Sequence, residues 1–223
     1  MCGRFTLRTP ETTIASLFPD LAIPDLKPRF NIAPTQQVAC VRKTDQLKVV
    51  TLRWGLVPFW AKDLKIGAKM INARCETVES KPSFRSAFKK RRCLVFADGY
   101  FEWKKIDGAK QPYYMTTTEN GGGFCMAGLW EKWKDKENDE TVESCTVLTT
   151  DANSKLSGVH DRMPVVLDRK DFEFWLDPEF QAVDKLKSIL KPASEEFFDA
   201  VPVDRTVNNV RNDNPTCVRT VVL

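Results

Sequence analysis

The chain has 223 residues, is 42% hydrophobic and 29% charged, and carries a formal net charge of +4. Those values fit a soluble globular protein with a real core, of one large domain or two small ones. They permit a local basic groove without demanding a nucleic-acid partner. Seven cysteines, an odd number with no C-x-x-C pair, speak against a complete disulfide framework and a zinc ribbon and for a reducing, cytoplasmic setting; no apolar leader or membrane span is expected.

In chain order, Thr9-Pro10-Glu11 supplies an N-cap, a first-turn proline and an acidic first turn, which predicts a short helix to about Phe18. Pro19, Pro24 and Pro28 then break the chain. Residues 31–35 read as a loop feeding a strand near 37–42, and the β-branched stretch 47–54 reads as the next strand. Trp54-Gly55-Leu56-Val57-Pro58-Phe59-Trp60 reads as a shaped aromatic loop, and 83–90 as a short helix entered at Pro82. Residues 93–97 form an apolar run of buried-strand type, which Asp98-Gly99 turns into Tyr100-Phe101-Glu102-Trp103. Further strands are expected near 112–117, 123–129, 145–150 and 165–167. The charged stretch 131–143 reads as a solvated hairpin loop, and 168–176 and 178–190 as two helices. Strands preceding the late helices, with no regular βαβ alternation, predict one α+β domain over 1–223.

Four places can carry chemistry. Removal of Met1 would leave Cys2 with a free α-amine beside its thiol, a 1,2-aminothiol that no internal cysteine can supply. With an amine pKa of about 7.7–8.0, part of it is neutral and nucleophilic at pH 7; the thiol can then close a five-membered ring on an imine. On position alone, the favoured reading of Cys2 is a residue of a frayed terminus. His160 is the one histidine, in a Gly- and Pro-flanked loop, and suits proton transfer or a hydrogen bond to a ligand oxygen. Glu102 shares a strand face with Tyr100 while Phe101 and Trp103 share the other, so its carboxylate is expected to be partly desolvated and raised in pKa. Asn72 and Arg74 lie on one face if extended, an amide for a sugar and a guanidinium for a phosphate. Trp54, Phe59 and Trp60 can stack bases, and Arg4, Arg74, Arg85, Arg162 and residues 89–92 can supply charge. Each tryptophan taken singly also fits a core, and 89–92 a solvated helix end.

Together, Met1-Cys2-Gly3-Arg4-Phe5, Asn31-Ile32-Ala33-Pro34, Arg53-Trp54-Gly55-Leu56-Val57-Pro58 and Ile71-Asn72-Ala73-Arg74-Cys75-Glu76-Thr77 form a set. Ala97-Asp98-Gly99-Tyr100-Phe101-Glu102-Trp103, Thr149-Thr150-Asp151-Ala152-Asn153, His160-Asp161-Arg162-Met163-Pro164 and Val207-Asn208-Asn209 complete it. In this order, across nearly the whole chain, the set resembles the SOS-response-associated peptidase family, the abasic-site processing proteins. The resemblance implies a compact α+β fold with a barrel-like β core flanked by helices, a groove for single-stranded DNA, and capture of abasic sites by the terminal cysteine. It implies Cys2 as nucleophile and crosslink position, with Asn72, Glu102 and His160 around the ring-opened sugar. Arg4, Arg74 and Arg162 are implied at phosphates, and Trp54, Phe59 and Trp60 at bases. Phe59 stands where tryptophan is also acceptable, and Phe96 where a proline is expected. A thiazolidine crosslink that shields the lesion, with possible lyase or self-processing activity, is the function implied; no metal or cofactor and no obligate protein partner is called for. The alternatives are a thiol peptidase using Cys2 and His160, or a non-covalent single-strand-binding module.

Overall fold

The structure, a computed structural model, describes residues 2–118 and 122–223; Met1, whose removal the sequence leads one to expect, lies outside them. The chain runs through β1 (Arg4–Leu7), α1 (Pro10–Leu17), β2 (Arg29–Ile32), β3 (Gln37–Lys43), β4 (Leu47–Trp54), β5 (Asn72–Arg74), α2 (Arg85–Lys90), β6 (Arg92–Ala97) and β7 (Gly99–Ile106). It continues through β8 (Ala109–Thr117), β9 (Phe124–Lys134), β10 (Thr141–Asp151), α3 (Ser154–Ser157), β11 (Arg162–Pro164), α4 (Phe172–Leu176), α5 (Val183–Ser188) and β12 (Phe198–Pro202).

β10, β4, β3, β6 and β9 pair in that order, and β9 returns to β10, closing a barrel. Its pairings are antiparallel except for β10 with β4. β6 is buried at every position, as an apolar run in the centre of a closed sheet must be. The long strand β10 is the seam: beyond the short pairing with β4 it takes β5 in parallel (Val147 opposite Asn72) and β11 antiparallel at its end. A second sheet, ordered β12-β8-β7-β1-β2, lies against the barrel. Phe5, Tyr100 and Phe198 share the main core with Trp54 and the barrel strands, while Phe101 and Tyr114 pack a smaller core with Val203, Val207 and Cys217. The two faces of β7 therefore divide as the alternation predicts. The loop after β4 closes through Gly55, at φ 126° and so near that a Cβ would lie 2.5 Å from the Gly67 carbonyl oxygen; a side chain fits neither glycine.

The helix at Pro10, the strand over 47–54 and the strand expected near 112–117 stand where the sequence places them, the last starting earlier at Ala109. Five expectations are corrected. Residues 31–32 are not loop but the end of β2, because Phe5 pairs with Ile32 and the Asp213 carboxylate accepts the amides of Phe30 and Asn31. The charged stretch 131–143 is not a solvated loop. β9 reaches Lys134 and β10 starts at Thr141; Glu131 and Trp133 are buried, and the Arg42 guanidinium lies 4.0 Å over the Trp130 ring. The strand expected at 165–167 is at Arg162–Pro164, and Val166 makes only an isolated bridge to Met126. The last two helices are cut back: 168–176 opens as a 3-10 turn over Arg169–Asp171 and becomes α4 only at Phe172, and the helix expected over 178–190 is reduced to α5. The helix expected over 83–90 begins only at Arg85.

Candidate active-site cleft

A cleft of about 420 Å3 opens between Arg4, Glu102, Trp103, Lys110, His160 and Asn208. It sits where the N-terminus enters the second sheet. β1 pairs with β7 so that Arg4 faces Phe101 and Phe5 faces Tyr100; the same register carried one step toward the N-terminus brings Gly3 level with Glu102. Cys2 is fully buried. Its carbonyl accepts a hydrogen bond from Asn72 Nδ2 at 2.8 Å, which ties the chain's start to the strand paired with β10. Burial pushes the Cys2 thiol well up, and the Glu102 carboxylate adds to the rise.

Glu102 is buried on the face of β7 that also carries Tyr100. Burial pushes its carboxyl up to about 7, so it is poised to hold or release a proton near neutrality. His160 Nε2 stands 3.9 Å from Glu102 Oε2. The histidine loop is fixed from below. Asn153 caps α3 by accepting from the Leu156 amide, and donates to the carbonyls of Ala193 and Ser194; the His160 amide returns to the Leu156 carbonyl. His160 Nδ1 accepts the Arg162 amide at 3.0 Å, with Asp161 Oδ1 2.7 Å away. Accepting the Arg162 amide puts the neutral ring's proton on Nε2, the nitrogen that faces Glu102, whereas bonding Asp161 puts it on Nδ1. Burial lowers the His160 pKa, and Asp161 opposes that fall.

Arg4 forms the cleft's cationic wall. One nitrogen donates to Asn31 Oδ1 at 2.8 Å and to the Val207 carbonyl at 2.9 Å, and the guanidinium lies 5.9 Å over Trp103. Asn31 in turn donates to the carbonyls of Val207, Asn209 and Asn212. Asn208 accepts from Trp103 Nε1 at 2.7 Å.

The structure thus gathers Cys2, Arg4, Asn72, Glu102 and His160 from distant parts of the chain. Arg74 is exposed at the end of β5 and does not line the cleft. Phe59 and Trp60 are 59% and 48% exposed but line a separate cleft. Two implied roles do not fit. Trp54 is a core residue with no open face: Phe5 meets it edge-on at 5.0 Å, and its Nε1 donates to the Ile71 carbonyl. Arg162 points inward: Nη1 and Nη2 clamp both Glu76 oxygens at 2.8 and 2.9 Å, Nη1 meets Asp151 at 2.5 Å, and Nη2 meets the Thr149 carbonyl at 2.7 Å. Its guanidinium is spent on holding the ends of β5 and β10 together. Trp103, Lys110, Asn31, Asn153 and Asn208 were not singled out from sequence. The three asparagines stand in motifs whose spacing carries no hint of which carbonyls they reach, and Lys110 has no local signal.

A buried cysteine at the head of a strand, a carboxyl poised near neutrality and an imidazole stand together here; among the described residues no group of three or more His, Cys, Asp or Glu is placed to hold a metal ion. The sequence matches the family model described as SOS response associated peptidase (SRAP) over residues 1–210, and the chain belongs to that family. It is 38% identical over 222 residues to the abasic site processing protein YoqW of Bacillus subtilis (strain 168), covering 98% of this chain and 99% of that one. It is 34% identical over 197 residues to the abasic site processing protein HMCES of Xenopus tropicalis, covering 78% of this chain and 58% of that longer one. A crystal structure of a Bacteroides thetaiotaomicron protein superposes with a TM-score of 0.86 at 28% identity, covering 99% of this chain and all of that one.

Proposed function

We propose that this protein processes abasic sites in single-stranded DNA by covalent capture through Cys2 after Met1 is removed. The observation that carries the reading is the placement of buried Cys2, tethered by Asn72, beside the Glu102–His160 pair at the head of an open cleft. The relatives named above as abasic site processing proteins support the substrate class.

In this mechanism the neutral α-amine adds to the ring-opened sugar aldehyde, giving a carbinolamine. Its hydroxyl leaves as water, with the proton coming from Glu102, which burial keeps protonated to about pH 7, and the nitrogen's proton returns to the Glu102 carboxylate to leave the imine. The Cys2 thiol adds to the imine carbon, its proton passing to the imine nitrogen, and a thiazolidine forms with net loss of one water. His160 hydrogen-bonds the sugar oxygen through Nε2. The free edge of Arg4 and the exposed Arg74 hold phosphates, and Phe59 and Trp60 offer ring faces to bases.

The peptidase reading needs a thiolate beside an imidazole; burial of the Cys2 thiol works against it. The test is mass analysis and denaturing gel electrophoresis of protein incubated with an abasic oligonucleotide. Loss of Met1 and an adduct that survives denaturation are expected for wild type, and no stable adduct for Cys2→Ala or Cys2→Ser. A Cys2→Ala protein crosslinked as stably as wild type overturns the assignment.

A further inference from the structure

β1 spans only Arg4–Leu7, yet the place of Cys2, two residues ahead of it, depends on its register. On one side Phe5 faces Tyr100 and Thr6 faces Gly99 of β7; on the other, β2 pairs at Phe5–Ile32 and Leu7–Arg29 with an irregularity between. A slip by one residue would turn Phe5 out of the core and carry Cys2 past Glu102, since strand faces alternate.

The end of β1 away from Cys2 is held by one carboxylate. Asp98, between β6 and β7, is fully buried. Thr6 Oγ1 donates to its Oδ1 at 2.5 Å, the Arg8 amide donates to its Oδ2 at 2.6 Å, and Arg8 Nε stands 3.3 Å from Oδ1. The Asp98 amide returns to the Thr6 carbonyl at 3.0 Å. Tyr114 of β8 closes the group. Its hydroxyl lies 2.8 Å from Thr6 Oγ1 and donates to the Asp98 carbonyl at 3.3 Å, and the Arg8 guanidinium lies 5.6 Å over its ring. Gly99 makes room for that hydroxyl, since a Cβ there would stand 2.1 Å from it.

This group lines no part of the Glu102–His160 cleft. A buried ion pair adds little net stability over well-packed apolar side chains of similar volume. What this carboxylate adds is selection among registers. Its bonds go to positions 6 and 8, and Thr6 is flanked by Phe5 and Leu7. Either neighbour, brought opposite Asp98 by a slip, would leave the buried carboxylate short of a donor. Thr6 stands four positions after Cys2, about 13 Å of extended chain. Over most of that length the chain is paired on both sides, so a displacement at Thr6 is transmitted rather than absorbed. At the Cys2 end, Asn72 holds the carbonyl.

We propose that Asp98 and Thr6, with Tyr114, form a register lock that positions Cys2 against Glu102 in the capture reaction. None of the three touches the reacting atoms; they are positioning residues, and their role rests on the reading that Cys2 captures abasic sites.

The test compares Thr6→Val, which keeps the shape and removes the hydroxyl, with Thr6→Ser, which keeps the hydroxyl, and with Asp98→Asn. Leu186→Ala, a core truncation on α5 outside the cleft, controls for plain loss of stability. Adduct formation on an abasic oligonucleotide is followed at saturating strand, so that binding drops out, and at a temperature where thermal melts show each variant folded. Thr6→Val is expected to form adduct about 10²-fold more slowly, the scale of a misplacement of about 1 Å at the reacting atoms. Thr6→Ser should restore most of the rate, and Leu186→Ala should keep the wild-type rate. Hydrogen exchange read by mass should show the amides of residues 4–8 and 99–102 opening faster in Thr6→Val, with β3, β6 and β9 as protected as in wild type. Asp98→Asn is expected to repeat both effects; if it does not fold, the two Thr6 variants decide the matter. A wild-type rate in folded Thr6→Val overturns the proposal. So does a rate lost equally in Thr6→Ser or Leu186→Ala, or exchange that rises evenly over the whole molecule. Adduct formation by wild type is scored first. Its absence defeats the capture reading, while the exchange comparison, which needs no DNA, still reports whether Thr6 and Asp98 set β1.

Discussion

Glu102 is where burial and chemistry pull against each other. Its carboxyl sits at about 7 instead of the ordinary 4.5 because it is desolvated. Between about pH 4.5 and 7 the folded carboxyl keeps a proton that the unfolded chain has released, so this group's stability is complete below that window and is lost as pH rises through it. Glu102→Gln removes the penalty. Thermal melts of wild type and variant are expected to coincide at pH 4 and to diverge at pH 8, where the variant should be the more stable, by roughly 3 kcal/mol at most. The same variant should form adduct about 10²-fold more slowly. A variant less stable at pH 8, or one with wild-type rates, would return Glu102 to a purely structural role. His160 offers a second check, since it is the one histidine and 15N-histidine labelling gives an uncrowded spectrum. At pH 8 Nε2 is expected to be the protonated nitrogen if Nδ1 serves the Arg162 amide; a protonated Nδ1 would instead give that nitrogen to Asp161. At this scale the alternation in residues 100–103 was legible, because a strand's two faces follow from parity. The fate of Trp54 against that of Phe59 and Trp60 was not. All three stand in one aromatic loop, and only the tertiary position of Phe5 separates core from surface.

Elements long enough to show a pattern were legible, and short ones held by distant partners were not. β4 and β6 announce themselves by β-branched and apolar runs. β5 and β11 have three residues each and exist because β10 is there to pair with them. Their junction depends on Arg162, which was expected at a phosphate and is instead clamped by Glu76, Asp151 and the Thr149 carbonyl. Glu76 and Asp151 are largely solvent-facing, so the ion pairs are screened; the hydrogen bond to a buried carbonyl is not. Arg162→Ala is therefore expected to destabilise by about 1–3 kcal/mol in a denaturant melt and to loosen the His160 loop. Arg162→Lys should not restore it, since one ammonium cannot replace the fork. A folded Arg162→Ala protein with an unchanged melt and weakened DNA binding would favour the phosphate role over the clamp. Asn31 makes the same point for the C-terminal segment. Asn31→Ala strands three carbonyls and one side of Arg4, and should cost about 3 kcal/mol.

At the scale of the whole molecule, barrel closure was implied by family resemblance and not by any local run, since β9 meets β10 through a charged hairpin that reads as solvent-exposed in one dimension. Closure removes free edges from the five barrel strands and seals what lies between them. Cys40, Cys93, Cys125 and Cys145 stand on β3, β6, β9 and β10, and all four are buried and unpaired by disulfide. Reaching them requires parting the barrel, an event whose free energy approaches that of global unfolding. Cys2 is just as buried, yet it precedes β1 at the edge of the Glu102–His160 cleft, where a local opening of the chain's start is enough. Labelling of native protein with an excess of thiol reagent, mapped by mass, is therefore expected to modify Cys2 long before any of the four barrel cysteines. Those four should react together, at the rate of unfolding measured independently in denaturant. Reductant should leave the thermal midpoint unchanged, since no disulfide contributes to it. Barrel cysteines reacting as fast as Cys2 would mean that the β9–β10 seam opens in the native state, and would remove the rigid frame on which both clefts depend.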